Sequence, residues 1–177
     1  MDNMVKMTTV VLGPPRAELE HLLERRRALG LDKFDEVWEG TYHVAPEAHF
    51  RHAYLDDQLA VLLHPYAQAA GLVGSGPFNL GYEDDFRVPD RGYHRELLDA
   101  VFLETAAIVI EILSPDDETY EKLPFYAAHG VDEVLIIDPG ERQVHLFARR
   151  NDHYDEIDRS VLLELGTDVL EHAIRWP

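Results

Sequence analysis

Glu111 is the residue whose position in this chain points most directly to chemistry. It interrupts the apolar stretch 108–113, which has the composition of a strand buried on both faces. Alternation along such a strand places Val109, Glu111 and Leu113 on one face. A carboxylate in these surroundings has to be paired, protonated or bound to a metal, because desolvating it alone costs several kcal/mol. A Glu at the strand end that reaches solvent or an arginine is the alternative.

Asp90 and Lys122 are the residues that could act with Glu111. Pro89 holds the residue before it extended and leaves Asp90 at a strand end or edge, with a simple turn as the alternative. Lys122 follows Glu111 by eleven residues, across a turn, so its side chain can return over the end of the strand. A solvated surface lysine is the alternative there. Two carboxylates and an ammonium group suit Mg²⁺-assisted hydrolysis, in which the metal activates water and the lysine orients it or stabilises charge.

Four segments of the chain carry a resemblance to a known superfamily. They are 87–90, 108–115, 122–126 and 130–139. Together they resemble the PD-(D/E)XK nucleases, and most closely a small bacterial branch of restriction-endonuclease-like proteins, over about residues 34–148. The resemblance implies that Asp90 and Glu111 bind Mg²⁺ or Mn²⁺, and that both residues act with Lys122 in catalysis.

The resemblance includes one departure from the parent motif and two supporting residues. The parent motif places its lysine two residues after the acid, where this chain has Leu113. The branch has the lysine in the following helix, which corresponds to Lys122. Glu39, in a Glu-Gly pair, and His52, at the start of the long helix, match two further places in the branch and are expected to support the site. A polar surface histidine is the alternative for His52.

The charge of the chain limits how it can bind nucleic acid. It has 16 Lys and Arg against 34 Asp and Glu, a net charge of −18. Neutralising phosphates supplies most non-specific affinity, so this balance argues against tight binding without metal. We expect weak binding through a local basic strip. Arg87 is expected to hold a phosphate beside the metal, and the other candidates are Arg91 and Arg25–Arg27.

Helices and strands alternate along the chain and would position these residues. Helical patterns run over 14–30, 49–70, 116–129 and 168–172. Strand patterns run over 35–39, 41–45, 72–73, 78–82, 86–88, 106–113, 134–137, 144–148, 154–157 and 161–165. This order predicts a mixed α/β fold with one central sheet flanked by helices, restriction-endonuclease-like by the resemblance. The length predicts a single domain over residues 1–177.

Composition and missing motifs exclude several other classes of protein. The chain has no Cys, which removes disulfides, thiol nucleophiles and Cys-ligated zinc. It contains no P-loop, G-x-S-x-G or H-E-x-x-H motif. No apolar run approaches the roughly 20 residues of a membrane helix, and the first residues lack a compact signal-peptide core. We therefore expect no membrane partner and a cytoplasmic location.

The preferred function is that of a Mg²⁺- or Mn²⁺-dependent endonuclease acting on DNA or another nucleic acid. Two other functions stay open from the sequence. One is a binding or regulatory module that keeps the nuclease fold without turnover, and the other is a small-molecule hydrolase that uses the same carboxylates. Nucleic acid is the expected partner, and a homodimer is an open alternative for the assembly.

Overall fold

The structure of the chain is a computed structural model that describes residues 10–13, 17–45, 49–114 and 118–177. The α-helices in these ranges are α1 (Ala17–Ala28), α2 (Phe50–Ala69), α3 (Leu123–Ala128) and α4 (Thr167–Ala173), and a 3-10 helix (Thr119–Lys122) runs directly into α3. The strands are β1 (Val10–Leu12), β2 (Glu36–Trp38), β3 (Thr41–Val44), β4 (Val73–Ser75), β5 (Asn79–Tyr82), β6 (Asp85–Arg87), β7 (Arg91–His94), β8 (Phe102–Leu103), β9 (Ile108–Ile112), β10 (Glu133–Asp138), β11 (Gln143–Arg150) and β12 (His153–Ile157).

The strands of the described residues form two six-stranded sheets. The first has the order β1-β3-β2-β6-β5-β8 and the second β12-β11-β10-β9-β7-β4. In the second sheet β9 is parallel to β10 and antiparallel to β7. The predicted mixed α/β class is confirmed. The strands divide between two sheets because the β2–β3 hairpin pairs with β6, through Val37 and Phe86, and not with the sheet that contains β9.

Strand β9 is the centre of the core and is buried along its whole length. Its three isoleucines pack with the buried leucines of α2, which recur every four residues: Leu55, Leu59 and Leu63. Val109, on the opposite face, packs with residues of β10 and with Tyr126 of α3. Each of these large side chains contributes roughly 1.5–3 kcal/mol on burial. The alternation predicted for β9 is therefore present, and it turns the face that carries Glu111 toward α3.

Two predicted elements differ from those in the structure. The segment 161–165 forms no strand and is a turn beside a single bridge between Arg159 and Gly166. The carboxylate of Glu133 accepts hydrogen bonds from the Val161 and Leu162 N–H groups, which takes up donors that a strand would give to a neighbour. The helix predicted over 116–129 is a 3-10 turn followed by α3. The predicted positions 14–16 and 116–117 lie outside the described residues.

No helix in the described ranges is long and apolar enough to cross a membrane. The longest one, α2, has 20 residues but packs only one stripe into the core.

Candidate active site

Asp90, Glu111 and Lys122 lie together at one end of the second sheet. Asp90 directly precedes β7, and its Oδ2 accepts a hydrogen bond of 2.8 Å from the N–H of Ile112, the neighbour of Glu111 in β9. Lys122 Nζ lies 3.2 Å from Glu111 Oε1. The structure thus brings together the three residues to which the sequence analysis gave catalytic roles. Their roles in a reaction remain predictions.

The junction before α3 explains how Lys122 reaches Glu111. Lys122 closes the 3-10 helix and is the residue that precedes α3. Pro124 lies in the first turn of α3, where backbone N–H groups have no partner within the helix, so proline costs no hydrogen bond there. Tyr126 anchors this helix in the apolar cluster on the Glu111 face of β9. The lysine side chain therefore returns over the strand, as the strand–turn–helix order predicted.

Glu36 is the second carboxylate that binds Lys122, and the sequence analysis did not select it. Its Oε1 lies 2.9 Å from Lys122 Nζ, and its side chain is 9% exposed. The Val88 N–H and the Trp38 indole N–H donate to its two oxygens at 2.8 and 2.6 Å. The lysine thus joins the two sheets, with Glu36 from the first and Glu111 from the second. Glu36 and its neighbour Val37 are both buried in the short strand β2, so alternation along the strand does not single out Glu36.

Glu39, predicted to support the site, is not brought to it. It lies in the turn between β2 and β3, is exposed, and its backbone N–H donates to Asp85 Oδ1 at 3.1 Å. The turn directs Glu39 to solvent because the strand that enters the interior ends one residue earlier, at Trp38. Glu36, three residues before Glu39, is the acid that this hairpin contributes.

His52 lies beside Asp90, as the resemblance implied. Its Nε2 is 3.1 Å from Asp90 Oδ2, the oxygen that also accepts from the Ile112 N–H. Burial would lower the pKa of His52, but the hydrogen bond and charge of Asp90 outweigh burial and raise it. These contacts fix Oδ2 of Asp90 and make no use of Oδ1. A supporting role for His52 stays a prediction.

The electrostatics of the site are dominated by carboxylates around one buried ammonium group. Burial raises the pKa of Glu111 to about 8; Lys122 opposes this rise, and the charges of Asp90 and Glu36 add to it. Burial would lower the pKa of Lys122, but Glu111 and Glu36 outweigh it and raise that pKa. Lys122 therefore stays protonated at neutral pH, and ionisation of Glu111 as pH rises leaves more carboxylates than cations at the site.

Tyr126 is the second residue of the site that the sequence analysis did not select. It is fully buried, and its hydroxyl donates a hydrogen bond to Glu111 Oε1. Burial raises the pKa of Tyr126 well above its ordinary value, and the charge of Glu111 adds to this. The phenol therefore stays neutral and acts as a donor.

Comparisons with known proteins identify the family and the fold of the chain. A family model, Uma2, described as "Putative restriction endonuclease", matches residues 20–173. The chain belongs to the Uma2 family. Among solved structures, it is similar to one titled "Crystal structure of a putative nuclease belonging to DUF820 from Anabaena variabilis ATCC 29413", with a TM-score of 0.64 and 17% identity over 78% of this chain and 90% of that chain. No curated protein matches it. The restriction-endonuclease-like fold and the family resemblance are thus confirmed.

Arg87 of this Uma2 protein lies among protein groups that occupy its guanidinium. Its guanidinium donates to the Val37 carbonyl at 2.8 Å and to Asp85 Oδ1 at 2.9 Å. The same group lies between the Trp38 and Phe125 rings, 4.4 and 4.0 Å from their centroids. Its side chain is 7% exposed, so protein atoms occupy both faces of the guanidinium. These contacts are structural, and the predicted phosphate contact of Arg87 stays a prediction that this geometry does not favour.

Three of the other four arginines of the predicted basic strip make ion pairs within the described residues. Arg91 makes a two-pronged pair with Asp56 at 2.8 and 3.0 Å. Arg26 makes a similar pair with Asp35. Arg27 Nε lies 3.8 Å from an oxygen of Asp32. Little cationic surface is therefore left beside Asp90 to attract a polyanion.

Replacing Arg87 with Ala is expected to destabilise the fold by about 3 kcal/mol, because it removes two ring contacts and buried hydrogen bonds together. Arg150→Ala, which removes an exposed pair with Asp155, should cost less than about 1 kcal/mol and is the control. Urea unfolding of both variants measures the difference. Parent-like stability of Arg87→Ala, combined with weaker substrate binding, would restore the phosphate role.

Proposed function

We propose that this Uma2 protein is a metal-dependent endonuclease that hydrolyses phosphodiester bonds at Asp90, Glu111 and Lys122. The observation that supports this most is the placement of the Lys122 ammonium between two buried carboxylates, beside an Asp fixed on the neighbouring strand. Collecting such charges in the interior is costly, and a fold gains little stability from it. Perturbed titratable groups that converge in this way are typical of catalytic sites. The description of the family, "Putative restriction endonuclease", supports the same reaction class.

Asp90 and Glu111 are the residues that would hold the metal ion. Within the described residues, no group of three or more His, Asp or Glu side chains has a metal-binding arrangement. A pair of carboxylates still fits Mg²⁺ or Mn²⁺, because such ions take one or two protein carboxylates and fill the remaining positions with water and substrate. Asp90 Oδ1 and Glu111 Oε2 take no part in the hydrogen bonds described above. When bound, the ion would activate water and neutralise charge on the phosphate.

Lys122 contributes as a donor and not as a base. Its raised pKa keeps the ammonium protonated, so it cannot remove a proton from water at neutral pH. Two of its three N–H groups point to Glu36 and Glu111. Among the described residues these two are its partners, and we propose that the third N–H donates to a phosphate oxygen or the attacking water, where a fixed positive charge stabilises the charge that develops in the transition state.

The substrate would bind weakly. The net charge is −18, and Arg87 and Arg91 are taken up by Asp85 and Asp56. Few phosphate contacts imply a shallow dependence of binding on salt and a need for the metal ion to attract the scissile phosphate. This charge balance favours short or single-stranded segments at the site over a long duplex, which would bring many more phosphates against the acidic surface.

A cleavage assay tests the proposal. Single- and double-stranded DNA and RNA are incubated with the purified chain in Mg²⁺ or Mn²⁺ and, separately, in EDTA. We expect cleavage that requires the metal, is lost in Glu111→Gln, and is retained in Glu141→Gln, which alters an exposed turn residue. Cleavage that is as fast in EDTA, or in Glu111→Gln, as in the parent with metal would come from another protein. No cleavage of any of the four substrates would contradict the proposal.

A further inference from the structure

We propose that Tyr126 is a positioning residue that holds Glu111 Oε1 inside the protein and thereby presents Oε2 to the metal and the reacting phosphate. This inference rests on the proposed function, because that function makes Glu111 a metal ligand. It concerns the hydroxyl group of Tyr126 and not the ring.

Two donors converge on the same oxygen of Glu111. The Tyr126 hydroxyl donates to Oε1, and Lys122 Nζ lies 3.2 Å from that same atom. One carboxylate oxygen has two lone pairs, so these two contacts fill the capacity of Oε1. A rotation of the carboxylate would break both hydrogen bonds in a buried environment, where each lost bond is expensive. Oε2 is thereby left out of both contacts.

Both donors come from one short segment, so they act as a unit. Tyr126 follows Lys122 by four residues, which places the two side chains on the same side of consecutive turns. The Tyr126 ring is fully buried and packs with Val109, Val134 and Ile136 of the sheet. A ring locked in this way holds its hydroxyl more rigidly than the flexible lysine stem does. Fixed outer partners of this kind orient a metal ligand and strengthen metal binding.

Core packing alone does not explain a tyrosine at this position. A phenylalanine would fill the same space, and a buried hydroxyl costs free energy unless it makes a hydrogen bond. Within the described residues, this hydroxyl donates its hydrogen bond to Glu111. The hydroxyl group of Tyr126 thus binds the carboxylate that the proposed reaction needs.

Tyr126→Phe removes this single atom and tests the inference. We expect the dissociation constant for Mn²⁺, measured by electron paramagnetic resonance, to rise about tenfold. We expect kcat to fall about tenfold while KM for the nucleic acid stays within about twofold, because the variant loses a ligand's orientation and no substrate contact. Tyr154→Phe is the matched control. It removes a hydroxyl that donates to the Val131 carbonyl at 2.8 Å, and both quantities should stay within about twofold of the parent.

Circular dichroism first establishes that the variant is folded, and crystal structures of the parent and the variant show the Glu111 carboxylate. A carboxylate that keeps its orientation in Tyr126→Phe, with parent-like Mn²⁺ affinity, would overturn the inference. A parent chain that binds Mn²⁺ but cleaves no nucleic acid removes the proposed function; a weaker Mn²⁺ affinity of Tyr126→Phe would then still support positioning. If neither protein binds Mn²⁺ measurably, a turned carboxylate in the variant supports the inference and an unmoved one contradicts it.

Discussion

Lys122→Met is expected to lower the free energy of unfolding by about 3–5 kcal/mol and turnover by about 10²- to 10³-fold. The ammonium is the shared partner of Glu36 and Glu111, whose side chains are 9% and 4% exposed. Methionine fills a similar volume but leaves two buried carboxylates without their counter-charge. For a chain of this length the loss corresponds to a fall in the melting temperature of about 10 °C.

The stability loss in Lys122→Met should depend on pH. Without the ammonium, the pKa of Glu111 rises beyond its already raised value, so the variant takes up a proton more readily. A group whose pKa is raised by folding contributes stability at low pH and loses it as pH rises. Glu111 is protonated in both proteins well below pH 8, so the variant should lie closest to the parent there and fall further behind it as pH rises above about 8.

A double-variant cycle separates the two roles of Lys122. Adding Glu111→Gln to Lys122→Met removes one of the two carboxylates that have lost their counter-charge. This double variant should recover part of the lost stability, with no recovery of turnover. Lys33→Met is the matched control, because Lys33 is exposed in the loop that follows α1, and it should change neither stability nor turnover. Parent-like stability of Lys122→Met at pH 9 would show that the carboxylates do not depend on the ammonium group.

Part of the site could be predicted because its signals are local. An acid inside the apolar strand 108–113 marks Glu111 regardless of the rest of the fold, and the following turn and helix indicate where Lys122 can return. Alternation also predicted the face of β9 that carries Glu111. The long helix and the first hairpin followed from spacing and Gly-Pro boundaries, and they are present as α2 and β2–β3.

The rest depends on contacts between distant parts of the chain. Glu36 pairs with a lysine 86 residues away and from another sheet, a relation that no local pattern contains. Arg87 looked available because it is charged and lies near Asp90, but its surroundings are set by Trp38 and Phe125, which only the tertiary fold brings together. The division into two sheets likewise follows from which strand β2 pairs with, and strand composition does not specify that choice.

Glu111→Gln is expected to make the metal-free protein more stable than the parent at alkaline pH. Burial raises the pKa of Glu111 from an ordinary 4.5 to about 8, so the folded state disfavours the ionised carboxylate. The parent then has its full stability from this group below about pH 4.5 and loses it as pH rises through about 8. Glutamine carries no charge to desolvate, and its amide oxygen can still accept from Tyr126 and Lys122. Lys122 keeps its pair with Glu36.

Thermal unfolding from pH 5 to 9, with and without Mn²⁺, checks this expectation. Parent and Glu111→Gln should melt at similar temperatures near pH 5. Above pH 8 the free energy of unfolding of the variant should exceed that of the parent by several kcal/mol, since one pKa unit corresponds to about 1.4 kcal/mol. Mn²⁺ should raise the melting temperature of the parent, more at pH 8.5 than at pH 6, because the ion binds the ionised carboxylate. It should have little effect on the variant.

A variant that is less stable than the parent at every pH would mean that Glu111 stabilises the fold, and an equal response to Mn²⁺ would place the metal elsewhere. The expected result would instead show that this chain keeps, at its candidate active site, a carboxylate whose ionisation weakens the metal-free fold.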